Sequence, residues 1–282
     1  MALDGSLDDL LGYMRTSLVA MLLMAWCATA ATAAPTLTPG LNEFKVELPA
    51  DLRKIAGRGK ISPITYARVT IAIPPGFDTT SVWPVLVVSA TTDRGYNSSR
   101  ALLRNYAETA LASGWIGLAA DPAERPTVEQ DTVSLRLALN AAALSVLENQ
   151  WPGGGKAPLA FGGFSGGSKI SGWLAAAFAS EGRMIIGVYQ AGINQNTLVP
   201  AATLYDVLNP AFKRIPVFLQ AGKDDPVSTP AEHQDVAAEL KAAGFKNVRL
   251  EYFSGAHDID PGPLRLALEW FRALAAGPPT TR

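Results

Sequence analysis

Apolar runs and amphipathic stretches alternate along this chain from Trp83 to its C-terminal region. The short runs, rich in β-branched and aliphatic residues, predict strands, and the longer stretches carry apolar residues at helical spacing. Strands that alternate with helices form a mostly parallel sheet covered by helices on both faces, so the chain belongs to the α/β fold class. Predicted strands end near Ser89, Ala119, Phe161, Tyr189, Gln220 and Phe253, and predicted helices cover about 98–112, 128–149, 165–180, 201–208, 230–243 and 263–275.

Two further strands are predicted upstream of this alternation. Residues 44–48 and 66–73 alternate apolar and polar side chains, which predicts an antiparallel hairpin leading into the sheet. The segment 53–60 between them carries four positive charges and is expected to be a solvated loop. At 282 residues, 48% of them apolar, the chain can bury one large core, so a single domain is expected over 35–276. Residues 277–282 are expected to be a flexible tail.

The first 34 residues have the pattern of a secretory signal peptide. A basic residue, Arg15, precedes an apolar run from Leu18 to Trp26, and small residues follow up to Pro35. The run is too short for a transmembrane span, so we expect a secreted or periplasmic mature protein without a stable membrane anchor. Acidic residues before Met14 are unusual in such a leader, and we hypothesise that translation starts at Met14. A precursor peptide from residues 2–13 would contradict that hypothesis.

Composition excludes several classes of function. The single cysteine, Cys27, lies inside the predicted leader and follows Trp26, where a lipid-attachment signal needs a small residue. A mature chain without cysteine has no disulfides, no thiol catalysis and no cysteine-based metal site. With two widely separated histidines, neither a metal nor another cofactor is expected. The formal net charge of −1 gives no basis for binding nucleic acid.

A Gly-x-Ser-x-Gly pattern runs from Gly163 to Gly167 around Ser165. It follows a predicted strand and opens a predicted helix, which is the sequence form of a nucleophile elbow, a strained turn that exposes a serine hydroxyl. A β-carbon at either glycine would crowd so tight a turn. Read without its context, the same pattern also fits a plain structural turn.

A serine nucleophile needs a base, and the base needs an orienting carboxylate. His257 lies in a loop directly after the last predicted strand and is the candidate base. His233 lies in a segment that reads as an exposed amphipathic helix, so we expect a solvated surface residue. Asp224 and Asp225 both follow a predicted strand, at the edge where open α/β sheets place their active sites, and both are candidate acids.

The order Ser165, Asp225, His257 along the chain resembles that of the α/β-hydrolase superfamily. The Asp-Pro-Val step at Asp225 also resembles the acid loop of that superfamily, which favours Asp225 over Asp224. The resemblance extends from about Phe44 to Leu274. It implies an α/β-hydrolase fold and a Ser-His-Asp acyl-transfer mechanism acting on a small-molecule or polymer ester.

The resemblance also implies an oxyanion hole, built by the Gly166 N–H and a second backbone donor after the third strand. Many members carry His-Gly at that place, whereas here Ser89 is followed by Ala90, Thr91 and Thr92. Any non-proline residue has the required N–H, so Thr91 and Thr92 are both candidates.

Candidate substrate-binding residues are Tyr96, Gln190 and Asn194, because the segment after Tyr189 should lie beside Ser165. Trp173 is more consistent with a core residue behind the elbow. About twenty residues separate Asn194 from the next strand, too few for a large helical lid, so an open cleft is expected. Two alternatives remain, a serine peptidase of the prolyl-oligopeptidase type and a secreted binding protein on a hydrolase scaffold.

Overall fold

The structure is a computed structural model that describes residues 37–90 and 98–276. The predicted leader, the predicted tail and three candidate site residues, Thr91, Thr92 and Tyr96, lie outside the described residues.

Within the described ranges, eight strands form one sheet in the order β1-β2-β4-β3-β5-β6-β7-β8. The pairs β1–β2 and β2–β4 are antiparallel, and the other neighbours are parallel, which confirms the predicted fold class. The strands are β1 (Gly40–Glu47), β2 (Tyr66–Ile73), β3 (Val85–Ser89), β4 (Ile116–Pro122), β5 (Leu159–Phe164), β6 (Ile185–Ala191), β7 (Pro216–Gly222) and β8 (Asn247–Phe253).

Helices cover both faces of this sheet because successive strand residues point to opposite sides. Val85 and Val87 join one apolar cluster, whereas Leu86 and Val88 join the other. The first cluster packs under α1, α3, α4, α5 and α6, and the second packs under α2 and α7. The helices are α1 (Ala50–Ala56), α2 (Ser99–Ala112), α3 (Val133–Gln150), α4 (Gly166–Ser180), α5 (Leu198–Leu204), α6 (Pro230–Ala242) and α7 (Pro261–Ala276), with 3-10 turns at Gly154–Lys156 and Phe212–Arg214.

The first half of the segment 53–60, which was expected to be a charged, solvated loop, belongs to a helix. Helix α1 carries Arg53 and Lys54, but Leu52 and Ile55 of the same helix are buried against the core. The Arg53 guanidinium donates to the Ser62 carbonyl at 3.0 and 3.1 Å, which ties down the chain after the helix. The positive charges were a poor guide at Arg53 and Lys54, which lie on a helix whose other face is apolar, whereas Arg58 and Lys60 are exposed in the turn after it, as expected.

Helix α3 begins five residues later than predicted. Thr132 is its N-cap, and its hydroxyl accepts the Leu135 N–H at 3.2 Å. A threonine side chain at this position satisfies a backbone donor that the first turn leaves unpaired. None of the helices in the described ranges has the length and apolar character required to cross a membrane.

The parallel strands bring the candidate residues to one edge of the sheet. Strands β5, β7 and β8 all end there, so the loops that follow Phe164, Gly222 and Phe253 are neighbours. Between β6 and β7 the chain forms only the seven-residue helix α5 and one 3-10 turn, which agrees with the expected lack of a large lid.

Candidate active site

Ser165 has a backbone conformation that residues with a β-carbon rarely adopt. Its φ is 56° and its ψ is −121°, and in the described part of the chain only Arg58 and Asp206 are other non-glycine residues with positive φ. Such a conformation costs about 1–3 kcal/mol and persists only where the surroundings enforce it. Here the Ser165 N–H donates to the Ala191 carbonyl at 2.8 Å. The turn between β5 and α4 is therefore strained and pinned to β6.

Two glycines permit the close packing of this turn. A β-carbon on Gly163 would lie 2.2 Å from the carbonyl group of Gly167, and one on Gly167 would lie 2.1 Å from the Ser89 oxygen. Both distances are far below van der Waals contact with backbone atoms that cannot move aside. The glycine spacing therefore reflects two contacts, strand β5 against helix α4 and that helix against the end of β3.

The turn opens directly into the fifteen-residue helix α4, whose first residue is Gly166. The first N–H groups of a helix have no partner within the helix and form its positive end. Behind the turn, the buried Ser168 hydroxyl donates to the Gly163 carbonyl at 3.1 Å and contacts the Ala191 carbonyl. The start of α4 is thus fixed from inside and presents backbone donors next to Ser165.

Asp225 is the acid that meets His257. Its side chain is 1% exposed; one oxygen accepts the N–H groups of Val227 and Ser228, both at 2.8 Å, and the other lies 2.7 Å from His257 Nδ1. Burial by itself raises the pKa of Asp225, but the hydrogen bonds from Ser228, His257 and Val227 outweigh it, so this pKa lies below its usual value. The carboxylate is therefore ionised at neutral pH and holds the imidazole.

The loops that carry the acid and the histidine are joined by main-chain contacts. The Lys223 N–H donates to the Phe253 carbonyl at 3.0 Å, and the Asp224 N–H donates to the Gly255 carbonyl at 2.9 Å. A β-carbon on Gly222 would lie 2.1 Å from the Ala256 oxygen, so a glycine is needed where β7 ends. The Asp224 side chain is exposed, as expected of a turn residue.

His257 reaches the serine turn through Phe164, the residue before Ser165. The two rings lie 4.6 Å apart between centroids and are tilted by 39°. The His257 side chain is 18% exposed, so one side of it faces solvent. No described residue forms a hydrogen bond with the Ser165 hydroxyl. The structure therefore joins Asp225 to His257 and brings the serine turn beside them, but it contains no hydrogen bond between Ser165 and His257.

The predicted substrate-binding residues have different environments. Gln190 is 1% exposed and donates to the Ser168 carbonyl at 2.9 Å, so its side chain supports α4 from below and does not face a cleft. Asn194 is half-buried, and its amide donates to the Val227 carbonyl at 3.4 Å. Trp173 packs partly against the core.

The prediction for His233 was wrong. This histidine is 0% exposed, because the α6 face that carries it packs onto the end of the sheet together with Val236 and Leu240. Its Nδ1 lies 3.0 Å from the Thr229 carbonyl, and its Nε2 accepts the Ile193 N–H at 3.1 Å.

A buried ion network beside the site escaped the sequence analysis. Arg136 of α3 is 0% exposed, binds both oxygens of Asp131 at 2.8 and 2.9 Å, and donates to the Ser99 hydroxyl at 3.0 Å. The Ser99 hydroxyl also accepts the Ala90 N–H at 3.2 Å, and Asp121 accepts the Ser99 N–H at 2.7 Å. The network fixes the chain at Ala90, just before the candidate oxyanion donors. Arg136 is the only charged residue between positions 132 and 147 of the predicted helix, and this isolated charge was the signal for the network.

In the described part of the chain, no three His, Cys, Asp or Glu side chains are grouped closely enough to hold a metal ion.

Comparison with known proteins gives no match to a family model and none to the curated proteins by sequence. Solved structures do match. A dienelactone hydrolase from Anabaena variabilis aligns with a TM-score of 0.54 at 19% identity, over 82% of this chain and 97% of its own. The chain has the α/β-hydrolase fold.

Two further solved structures show the same similarity. A cold-adapted esterase from an Arctic intertidal metagenomic library has a TM-score of 0.54 at 16% identity, over 86% of this chain and 97% of its own. An α/β serine hydrolase without a lid from Xanthomonas campestris has a TM-score of 0.54 at 16% identity, over 88% of this chain and 100% of its own.

Proposed function

We propose that this protein is a serine hydrolase that cleaves carboxylic esters through an acyl-enzyme. The observation that carries the proposal is the strained turn at Ser165 beside a histidine whose Nδ1 is held by a buried carboxylate. Such a pairing serves no evident structural need at a solvent-facing edge, whereas a serine nucleophile requires it. The esterases among the structures of similar fold are consistent with this chemistry.

The position of the hydrogen on the neutral His257 ring determines its role as the base. A carboxylate only accepts, so Nδ1 carries the proton donated to Asp225 and Nε2 of the neutral ring is left as an acceptor. In the proposed reaction Nε2 takes the Ser165 proton as the oxygen attacks the ester carbonyl, and then returns a proton to the leaving alcohol. A water molecule then attacks the acyl-enzyme in the same way. Nε2 takes its proton and returns a proton to the Ser165 oxygen as the acid is released. The missing contact between Ser165 and His257 closes in the substrate complex, as is common for hydrogen bonds at unoccupied active sites.

The negative oxygen of the tetrahedral intermediate would be stabilised at the start of α4. The Gly166 N–H is one proposed donor, and the positive end of the helix adds to its effect. The Ala90 N–H is engaged by Ser99, which leaves Thr91 or Thr92 as the second proposed donor.

The proposed substrate is a small or polymeric ester that enters an open cleft. The chain between β6 and β7 is short, and Asn194 and Val227 lie together beside the acid loop. From the predicted leader, we also propose that the enzyme acts outside the cytoplasm. An N-terminus after residue 34 in the exported protein would support that localisation, and an uncleaved cytoplasmic chain would refute it.

Hydrolysis of p-nitrophenyl acetate and butyrate by the wild type and by Ser165→Ala tests the proposal. We expect the variant to lose about 10⁴-fold or more in kcat with an unchanged melting temperature, because alanine removes the nucleophile and little else. Activity of the variant within tenfold of the wild type would refute the assignment. If the wild type cleaves peptide p-nitroanilides and not esters, the chemistry stands but the substrate class is wrong.

A further inference from the structure

The second histidine, His233, has a fixed tautomer. Its two ring nitrogens face main-chain groups, the Thr229 carbonyl at Nδ1 and the Ile193 N–H at Nε2. A carbonyl can only accept and an N–H can only donate, so Nδ1 carries the hydrogen and Nε2 is a lone-pair acceptor. A buried imidazole in this position is neutral, and a second proton would have to be placed on the atom that accepts the Ile193 N–H.

The residue bound by His233 belongs to the turn on which His257 rests. Gly192, immediately before Ile193, has φ +60°, and a β-carbon on it would lie 2.9 Å from His257 Cε1 and 3.0 Å from the Phe164 ring. The imidazole of His257 therefore packs against both the Phe164 ring and the bare backbone of Gly192. Ile193 itself is 0% exposed, so its N–H has no solvent to turn to if His233 releases it.

The same turn is connected to the acid. The Gly192 N–H donates to the Gln220 carbonyl at 3.0 Å, and its carbonyl accepts the Ser228 hydroxyl at 2.8 Å. The Ser228 N–H in turn donates to Asp225 at 2.8 Å. The turn at Gly192 and Ile193 thus contacts His257 directly and is linked to Asp225 through Ser228, and His233 holds it from the interior.

We propose that neutral His233 is a positioning residue, which keeps the Gly192–Ile193 turn in place against His257 and so maintains the imidazole in its working orientation. This role rests on the proposed function of His257. It makes the site geometry depend on the charge of a histidine that does not itself touch the substrate.

The groups around His233 fit such a dependence. Burial is the main influence and lowers the pKa of His233 below its ordinary value, whereas the Thr229 and Gln220 backbone contacts and the charges of Asp225 and Glu232 act in the opposite direction. The ring is therefore neutral at neutral pH and takes up a proton at a lower pH than an ordinary histidine does. Protonation would set two N–H groups against each other in the interior, which breaks the bond to Ile193.

Two substitutions separate the two bonds. In His233→Gln the side-chain oxygen can replace Nε2 as the acceptor for Ile193 without titrating, and in His233→Asn the amide can replace Nδ1–H as the donor to Thr229 but does not reach Ile193. At pH 8 we expect the Gln variant to stay within about threefold of the wild-type kcat. We expect the Asn variant to lose about tenfold or more in kcat with KM within about twofold, because a small displacement of a catalytic group has a large effect on rate.

The acidic limb of the kcat profile gives a readout that a purely structural role would not affect. For the wild type we expect the slope of this limb to steepen from one proton to two as His233 titrates. For His233→Gln we expect a one-proton slope throughout. Circular dichroism checks that both proteins stay folded over this pH range. Equal kcat values for the Asn and Gln variants, or equal limbs for wild type and Gln variant, would overturn the proposal.

Imidazole NMR of the wild type tests the coupling without relying on activity or on a variant that folds. The chain contains only two histidines, so two sets of ring signals are expected. His233 should show the Nδ1–H tautomer, and the His257 signals should shift a second time at the pH where His233 titrates. If His257 is insensitive to that titration, the positioning role is wrong even in an active esterase. If the two rings are coupled but no ester is hydrolysed, the proposed function alone fails.

Discussion

Asp225 and Asp224 are adjacent in the chain, yet they have opposite environments. Asp225 is buried, accepts two backbone N–H groups and holds His257 Nδ1, whereas the Asp224 side chain points to solvent and only its backbone joins the two loops. Consecutive residues at a strand end point in different directions, so one carboxylate can reach the imidazole and its neighbour cannot.

Asparagine substitution separates the two carboxylates by their effect on turnover. Asp225→Asn keeps the shape but can donate to Nδ1, which favours the tautomer with its proton on Nε2, where the serine needs an acceptor. We expect a loss of about 10⁴ in kcat for Asp225→Asn and a change of only a few-fold for Asp224→Asn, measured on one ester at pH 8. The reverse ranking would move the acid to Asp224, and two small effects would place it elsewhere.

The residues that the sequence identified are those with strong local requirements. Ser165 was found through the glycines at either side of it, and His257 and Asp225 through their order and their place after predicted strands. His233 and Gln190 were misjudged because their burial depends on elements distant in the chain. His233 is covered by the turn after β6, and Gln190 by α4, and neither contact leaves a pattern in the neighbouring residues.

At the level of elements, the N-terminus of helix α6 fixes the C-terminal end of the loop that carries Asp225. Thr229 caps this helix by accepting the Glu232 N–H at 3.3 Å, while the Glu232 carboxylate accepts the Thr229 N–H at 2.6 Å. This reciprocal capping box, with Pro230 at the first helical position, starts the helix five residues after Asp225. The helix itself was predictable from Pro230 and its spacing, but its buried face was not.

Strand and helix order was predicted well because apolar periodicity is a local property of the chain. The differences lie at short elements and ends, as in α1, where seven residues are too few for periodicity to outweigh a cluster of positive charges. The buried network at Arg136 was missed for a related reason, since its partners Asp131, Asp121 and Ser99 come together only when α2 and α3 pack against opposite faces of the sheet.

On the scale of the whole molecule, the site is a product of topology. The parallel strands β5, β7 and β8 deliver a serine, an acid and a histidine to one edge, although 60 residues separate Ser165 from Asp225 and 32 separate Asp225 from His257. The antiparallel strands β1 and β2 extend the sheet on the side away from β5, β7 and β8. Their apolar side chains contribute to the core. The fold brings the three side chains together, but the activity follows from their chemistry, which experiments have to test.

Labelling with a fluorophosphonate is the most direct test of the central claim, because the reagent reacts with a serine only when a base and oxyanion donors activate it. Intact mass and peptide mapping of the labelled wild type should show one adduct, on Ser165, and Ser165→Ala should show none. The buried Ser168 is an internal control, since its hydroxyl is committed to main-chain carbonyls. An adduct on another serine, or an unlabelled wild type, would contradict the account.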